Sequence, residues 1–284
     1  MKFCDSSRMS LFFLRKELFL FRVQSLFLFS FAFHSFIRTS CFAESTCIRK
    51  WKEKQVFLLH FTHLFVPLHA NYHNVMEIKN QFARKLMDIK AIKLQPNDPF
   101  TWASGWKSPI YTDNRKTLSF PELRSFVKLE LCHVIQEQFP EAEAVAGVAT
   151  GAIAQGALVA DQLGLPYSYV RPKPKDHGMG NQVEGEIKKG AKVVVVEDLI
   201  STGGSSLKAV AALRDYGVEV VGMVASFTYG FPVAEEAFRE AGVKLITLSN
   251  YEAVIEEAAK TGYIKEEDKA VLAEWRKSPS TWKV

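Results

Sequence analysis

Residues 193–206 hold the densest set of groups able to do chemistry. Four consecutive valines, Val193 to Val196, run into Glu197-Asp198-Leu199-Ile200-Ser201-Thr202-Gly203-Gly204-Ser205-Ser206. The valines read as a buried strand. Gly203 and Gly204 let backbone N–H groups turn toward an anion, a helix opening near Ser205 adds its positive end, and Ser201, Thr202, Ser205 and Ser206 offer hydroxyl donors. A phosphate fits such a loop. Glu197 and Asp198 would repel it unless they face something else, such as sugar hydroxyls or a hydrated divalent cation. A phosphorylated sugar satisfies both halves of the pattern. An ordinary strand-to-helix turn also uses Ser, Thr and Gly, but leaves the paired acids unexplained. Two other nucleotide loops are excluded: there is no Gly-x-x-x-x-Gly-Lys-Ser/Thr, and Gly147 to Gly151 followed by Gly156 does not match Gly-x-Gly-x-x-Gly.

Three further segments carry candidate contacts. Arg171-Pro172-Lys173-Pro174-Lys175-Asp176-His177-Gly178 sets three cations and a histidine among residues that resist regular structure. It suits a lid over a polyanion, and equally a solvated basic loop. Phe100 to Arg115 mixes aromatics with a Ser-Gly turn and Lys107-Ser108-Pro109, either a wall for a flat heterocycle or a surface hairpin with packed rings. Ala149-Thr150-Gly151-Ala152 ends one apolar run and opens a helix. Its N–H groups could hold a second anion, or Thr150 could simply cap the helix.

The elements that must position these groups alternate as in an α/β domain with a parallel sheet. Five core strands are expected, near Ala144 to Ala149, Tyr167 to Arg171, Lys192 to Glu197, Glu219 to Phe227 and Lys244 to Leu248. Helices are expected at Ile78 to Ile89, Pro121 to Phe139, Ala152 to Leu163, Ser205 to Tyr216, Val233 to Ala241, Tyr251 to Lys260 and Glu266 to Lys277. Ligands of such sheets sit beyond the carboxyl ends of the strands, where the segments above fall.

The 284 residues are 48% hydrophobic and 24% charged with four cysteines, which excludes a disordered or disulfide-framework protein. The totals average two unlike pieces. Residues 1–75 contain none of the 16 glycines and 14 of the 22 phenylalanines, and carry a net charge of +6, against −1 from Met76 onward. The part that reads as folded therefore lacks the basic excess of a nucleic-acid domain. The most apolar run in the first piece, Val23 to Ile37 between Arg22 and Arg38, is shorter than the roughly 18 to 20 residues of a membrane helix. Residues 1–75 are read as an extension foreign to the domain, either an over-extended gene model starting upstream of Met76 or a targeting segment. Residues 76–284 are the domain. Its one cysteine, Cys132, reads as a buried structural thiol, in keeping with a reducing, cytoplasmic location.

Val193 to Ser206 resembles the phosphoribosyl pyrophosphate (PRPP) motif of type I phosphoribosyltransferases: an apolar strand, two acids, two apolar residues, then a Ser/Thr-Gly loop. With the other segments, the chain from about Met76 resembles the orotate phosphoribosyltransferase family, in the bacterial branch with Trp102-Ala103-Ser104-Gly105. The resemblance implies a five-stranded, mainly parallel sheet flanked by helices, with a small N-terminal hood. It implies transfer of a phosphoribosyl group from PRPP to orotate, releasing pyrophosphate, and a homodimer whose lid loop reaches the neighbouring subunit's site. PRPP would be bound by Arg171, Lys173, Lys175, His177 and the run from Glu197 through Leu199, Ile200, Ser201, Thr202, Gly203 and Gly204 to Ser205. Thr150 and Gly151 would hold pyrophosphate, and Ser201 and Lys107 orotate. Lys175, His177 and Asp198 carry the catalytic assignment. Mg²⁺ is implied, bound mainly through PRPP and water and not by protein ligands. Other branches have Lys where this chain has Ala103, and often Lys where it has Pro172. A purine or uracil phosphoribosyltransferase shares the same PRPP loop, and a non-catalytic PRPP- or RNA-binding regulator could share the fold.

Overall fold

The β-branched runs form one sheet in the computed structural model of the chain, whose described residues are 68–102, 104–174 and 182–282. The chain divides into two compact units, Met1–Leu68 and His69–Val284, and residues 1–67 lie outside the described residues. Among the described residues the main sheet has strands β5 (Ala144–Val148), β6 (Tyr167–Val170), β7 (Val183–Glu184), β8 (Lys192–Ile200), β9 (Glu219–Thr228) and β10 (Leu245–Asn250). Their order is β10-β9-β8-β5-β6-β7, all parallel except β7, which pairs antiparallel with β6. The strand order reverses between β5 and β8, with β6 on one side of β5 and β8 and β9 on the other, and the crevice of an open α/β sheet lies at such a switch.

All five expected strands are present, and the sheet has a sixth. Strand β7 spans two residues, too short to show a period of two in the sequence. A second correction concerns β8, which was expected to end at Glu197 and continues to Ile200. Its ladder with β9 goes on through Leu199↔Phe227 and Ile200↔Thr228, so the acidic pair lies within the strand.

Helices α2 (Pro121–Gln138), α3 (Ile153–Leu163), α4 (Gly204–Tyr216), α5 (Pro232–Glu240), α6 (Tyr251–Lys260) and α7 (Asp268–Lys277) fall within two residues of expectation. Helix α1 does not: it runs Leu68–Asp88, so the composition boundary at Met76 falls inside a helix. Pro67 precedes it, and no glycine or proline interrupts the residues between. Helix α1 buries Phe82, Ala83, Leu86 and Met87 on one stripe. Arg84 Nη2 meets the buried Glu257 of α6 at 3.0 Å, and Ser249 Oγ donates to the Lys79 carbonyl at 2.9 Å. Cys132 is buried as expected, and burial pushes its thiol up to about 11. No helix among the described residues is long and apolar enough to cross a membrane.

The N-terminal hood is built from two short antiparallel pairs: β1 (Ile92–Leu94) with β4 (Ile110–Thr112), and β2 (Phe100–Thr101) with β3 (Lys107–Ser108). The buried Trp275 of α7 braces it by donating Nε1 to the Lys107 carbonyl at 3.1 Å. Around that indole stand Trp102, Tyr229 and Phe231, with ring centroids 5.7, 6.0 and 5.5 Å away. Each edge-to-face contact of this kind adds to the stabilisation from burial alone.

Candidate active site

The carboxyl ends of β5 and β8 are neighbours, and the phosphate-loop and helix-opening segments meet there. Successive strand residues project to opposite sides, and the two acids turn different ways. Glu197 is buried: Ser206 Oγ of α4 donates to Oε2 at 2.8 Å, and the Asp198 N–H donates to Oε1 at 2.9 Å. Desolvation, reinforced by the Asp198 charge, pushes its carboxyl up to about 8. Asp198 is half-buried, and its carboxylate lies directly against Gly151. Ser206 was expected among the phosphate donors; instead it is buried, with its hydroxyl committed to Glu197.

Beyond Ile200 the backbone turns through Ser201, Thr202 and Gly203. Gly203 has φ +81°, a left-handed conformation natural to glycine. It is the N-cap of α4, and no side chain caps the helix there. The first N–H groups of α4 are thus free of a capping side chain, beside the exposed Thr202, Gly204 and Ser205. That is the arrangement by which helix ends bind phosphate. The same holds where α3 begins: Ala152, not Thr150, is the N-cap, without a side-chain hydrogen bond, and Thr150 is exposed. Capping by Thr150 is thereby removed as an alternative.

Arg171 directly follows β6 and pairs with Glu184 of β7 at 3.5 Å. Its N–H donates to the Gln182 carbonyl at 2.9 Å, and Gln182 Nε2 returns a hydrogen bond to the Arg171 carbonyl at 2.8 Å. Lys173 is exposed nearby, whereas Lys175 and His177 lie outside the described residues, as does Ala103. Lys107 is exposed on the hood with its Nζ donating to Thr101 Oγ1 at 2.9 Å, and Ser201 is half-buried just past β8.

Sequence reasoning assigned no role to Asn114, whose Nδ2 donates to the Asp198 carbonyl at 2.7 Å. It opens the 3₁₀ helix Asn114–Ser119 after β4, so the hood is tied directly to the acidic pair. Gln155 and Trp275 were missed too; no motif surrounds either. Among the described residues no group of three or more His, Cys, Asp or Glu gathers to hold a metal. Two adjacent carboxyls with one buried do not make a protein cage, but the half-buried Asp198 beside two anion-ready loops fits Mg²⁺ delivered by substrate phosphates.

A parallel sheet whose switch point joins a strand-borne acidic pair to uncapped loops on both neighbouring strands defines a type I phosphoribosyltransferase. The family described as "Phosphoribosyl transferase domain" matches residues 133–260. The chain is 68% identical over 200 residues to the orotate phosphoribosyltransferase of Porphyromonas gingivalis, covering 70% of this chain and 95% of that one. It is 55% identical over 207 residues to the Streptococcus thermophilus enzyme of the same name, covering 73% and 99%. Among solved structures, the orotate phosphoribosyltransferase of Aeropyrum pernix superposes with a TM-score of 0.57 at 33% identity, covering 64% of this chain and 99% of that one. The chain belongs to the orotate phosphoribosyltransferase family, in its bacterial type.

Proposed function

We propose that the chain transfers the phosphoribosyl group of PRPP to orotate, giving orotidine 5′-monophosphate and pyrophosphate, as a pentosyltransferase of pyrimidine biosynthesis. The observation that carries this reading is the end of β8, where Asp198 faces Gly151 and the chain then enters the uncapped N-terminus of α4, in a protein 68% identical to a named orotate phosphoribosyltransferase.

Displacement at the anomeric carbon builds positive charge on the ribose and negative charge on departing pyrophosphate, so catalysis rests on positioning and electrostatics. Asp198 receives the ribose hydroxyls and favours the cationic sugar; Glu197, expected to share that contact, is buried with both carboxyl oxygens already bonded and supports Asp198 from behind. Thr202 to Ser205 hold the 5′-phosphate. Thr150 and Gly151 meet pyrophosphate from the β5 side, while Arg171, Lys173, Lys175 and His177 neutralise it from the lid. Mg²⁺, when bound, adds charge neutralisation on the phosphate oxygens. Ser201 and Lys107 contact orotate. A homodimer sharing the 171–182 segment between subunits, a cytoplasmic location, and a domain beginning near Met76 belong to the same reading.

Orotate-dependent release of pyrophosphate from PRPP tests it, with Mg²⁺ and with EDTA, and with adenine, hypoxanthine and uracil in parallel. The full chain and a form starting at Met76 are compared. Turnover with orotate alone, lost in EDTA, is the expected result. Turnover with another base would keep the PRPP site and discard the base assignment. No turnover by the full chain would leave a sugar-phosphate-binding regulator.

A further inference from the structure

Two buried carboxamides stand in the cleft wall without full hydrogen bonding. Asn114 and Gln155 are each 4% exposed. Asn114 spends its Nδ2 on the Asp198 carbonyl, and its Oδ1 has no partner among the described residues. Gln155, in the first turn of α3, has a partner for neither Oε1 nor Nε2. Both line one small cavity with Thr117, Ser226, Gly151 and Asp198. It offers about 10 Å³ of space for the centre of a water molecule, room for one.

A buried amide left unbonded is costly, and an apolar side chain would fill the position without that cost. Nothing in the packing of α3 calls for an amide. A water molecule needs two to four polar partners, and this cavity supplies them: Gln155 donates and accepts, Asn114 accepts, and the Asp198 carboxylate accepts. We propose that the cavity is a one-water site through which Gln155 and Asn114 hold the Asp198 carboxylate in the orientation that receives the ribose hydroxyls of PRPP. Gln155 is thus a positioning residue that acts through Asp198. Gly151, which also lines the cavity, limits the carboxylate's movement, since a Cβ there would overlap it. The inference rests on the ribose role of Asp198 proposed above.

The test uses the full chain carrying Gln155→Met, Asp198→Asn, or both. Gln155→Met is expected to raise KM for PRPP about ten-fold and leave KM for orotate at the parental value. Its unfolding midpoint is expected to stay near the parent's, because a buried amide held only by a water is exchanged for an apolar side chain of similar length. In the Asp198→Asn background the same change adds nothing to KM for PRPP. A parental KM in Gln155→Met beside a raised one in Asp198→Asn overturns the inference and leaves the ribose role standing. So does an equal increase in both backgrounds, which would make Gln155 independent of Asp198. Parental kinetics in Asp198→Asn would remove the ribose role, and the inference with it. If Gln155→Met does not fold, Gln155→Leu gives a second variant with the same outcomes.

Discussion

The Asp198 carboxylate rests against the backbone of Gly151 so closely that a Cβ on Gly151 would overlap both of its oxygens. Gly151 follows β5, and Asp198 lies near the end of the adjacent parallel strand β8. Gly151 is required by space and not by backbone angle, as its φ is not among the positive ones. The acid proposed to face the sugar and the loop proposed to face pyrophosphate therefore share a single contact.

Gly151→Ala displaces the carboxylate or the loop, and a shift of about an ångström at a reacting centre can cost roughly 10²-fold in rate. We expect kcat/KM for PRPP to fall by about that factor while circular dichroism stays that of the parent. Parental kinetics would mean that the close approach has no functional weight.

Glu197 gives a pH signature of stability. Its carboxyl is pushed up to about 8 by burial and by Asp198, well above the usual value near 4.5. Between those two pH values the folded state binds the extra proton, so stability falls as pH rises across the window. Glu197→Gln carries a neutral amide throughout. Its thermal midpoint should decline less than the parent's between pH 5 and pH 8.5, and parallel curves would contradict a neutral Glu197.

Trp275→Phe keeps an aromatic ring in the cluster and removes the Nε1 bond to the Lys107 carbonyl. One buried hydrogen bond lost corresponds to about 1 kcal/mol in urea unfolding. KM for orotate should rise several-fold with KM for PRPP unchanged, because the hood carries Lys107 and the PRPP loops lie on the sheet. An equal rise for both substrates would indicate general loosening.

Lys175→Ala should lower kcat by roughly 10² while orotate binding, read by calorimetry, changes little. The role proposed for Lys175 is on the departing pyrophosphate, so its removal should be felt in turnover. Unchanged kcat would remove the lid assignment.

The junction after Val196 was legible because it is contiguous: buried strand, acids, glycines and helix follow one another in the sequence. Position along that run was less legible. The ladder between β8 and β9 carries the acids inside the strand, and propensity gives no sign of where such a ladder stops. The partnership of Asp198 with Gly151 and Asn114 joins three segments far apart in sequence, and only the strand order brings them together. Trp275 is the extreme case, as α7 lies near the end of the chain and carries no motif that points to the hood. Ser206 misled for a local reason: it sits in a donor-rich run, yet helical geometry turns it inward to Glu197.

The doubled hydrogen bond between Arg171 and Gln182, backed by the pairs Tyr169↔Glu184 and Val170↔Val183, fastens both ends of residues 172–181 to one short ladder. Closing a loop between fixed ends grows costlier only slowly with its length. The span between those ends is therefore interchangeable as a cassette. Its cations can be rewritten or borrowed from a relative without re-laying the sheet, so the contacts proposed for the leaving group can be tuned apart from the fold that carries them.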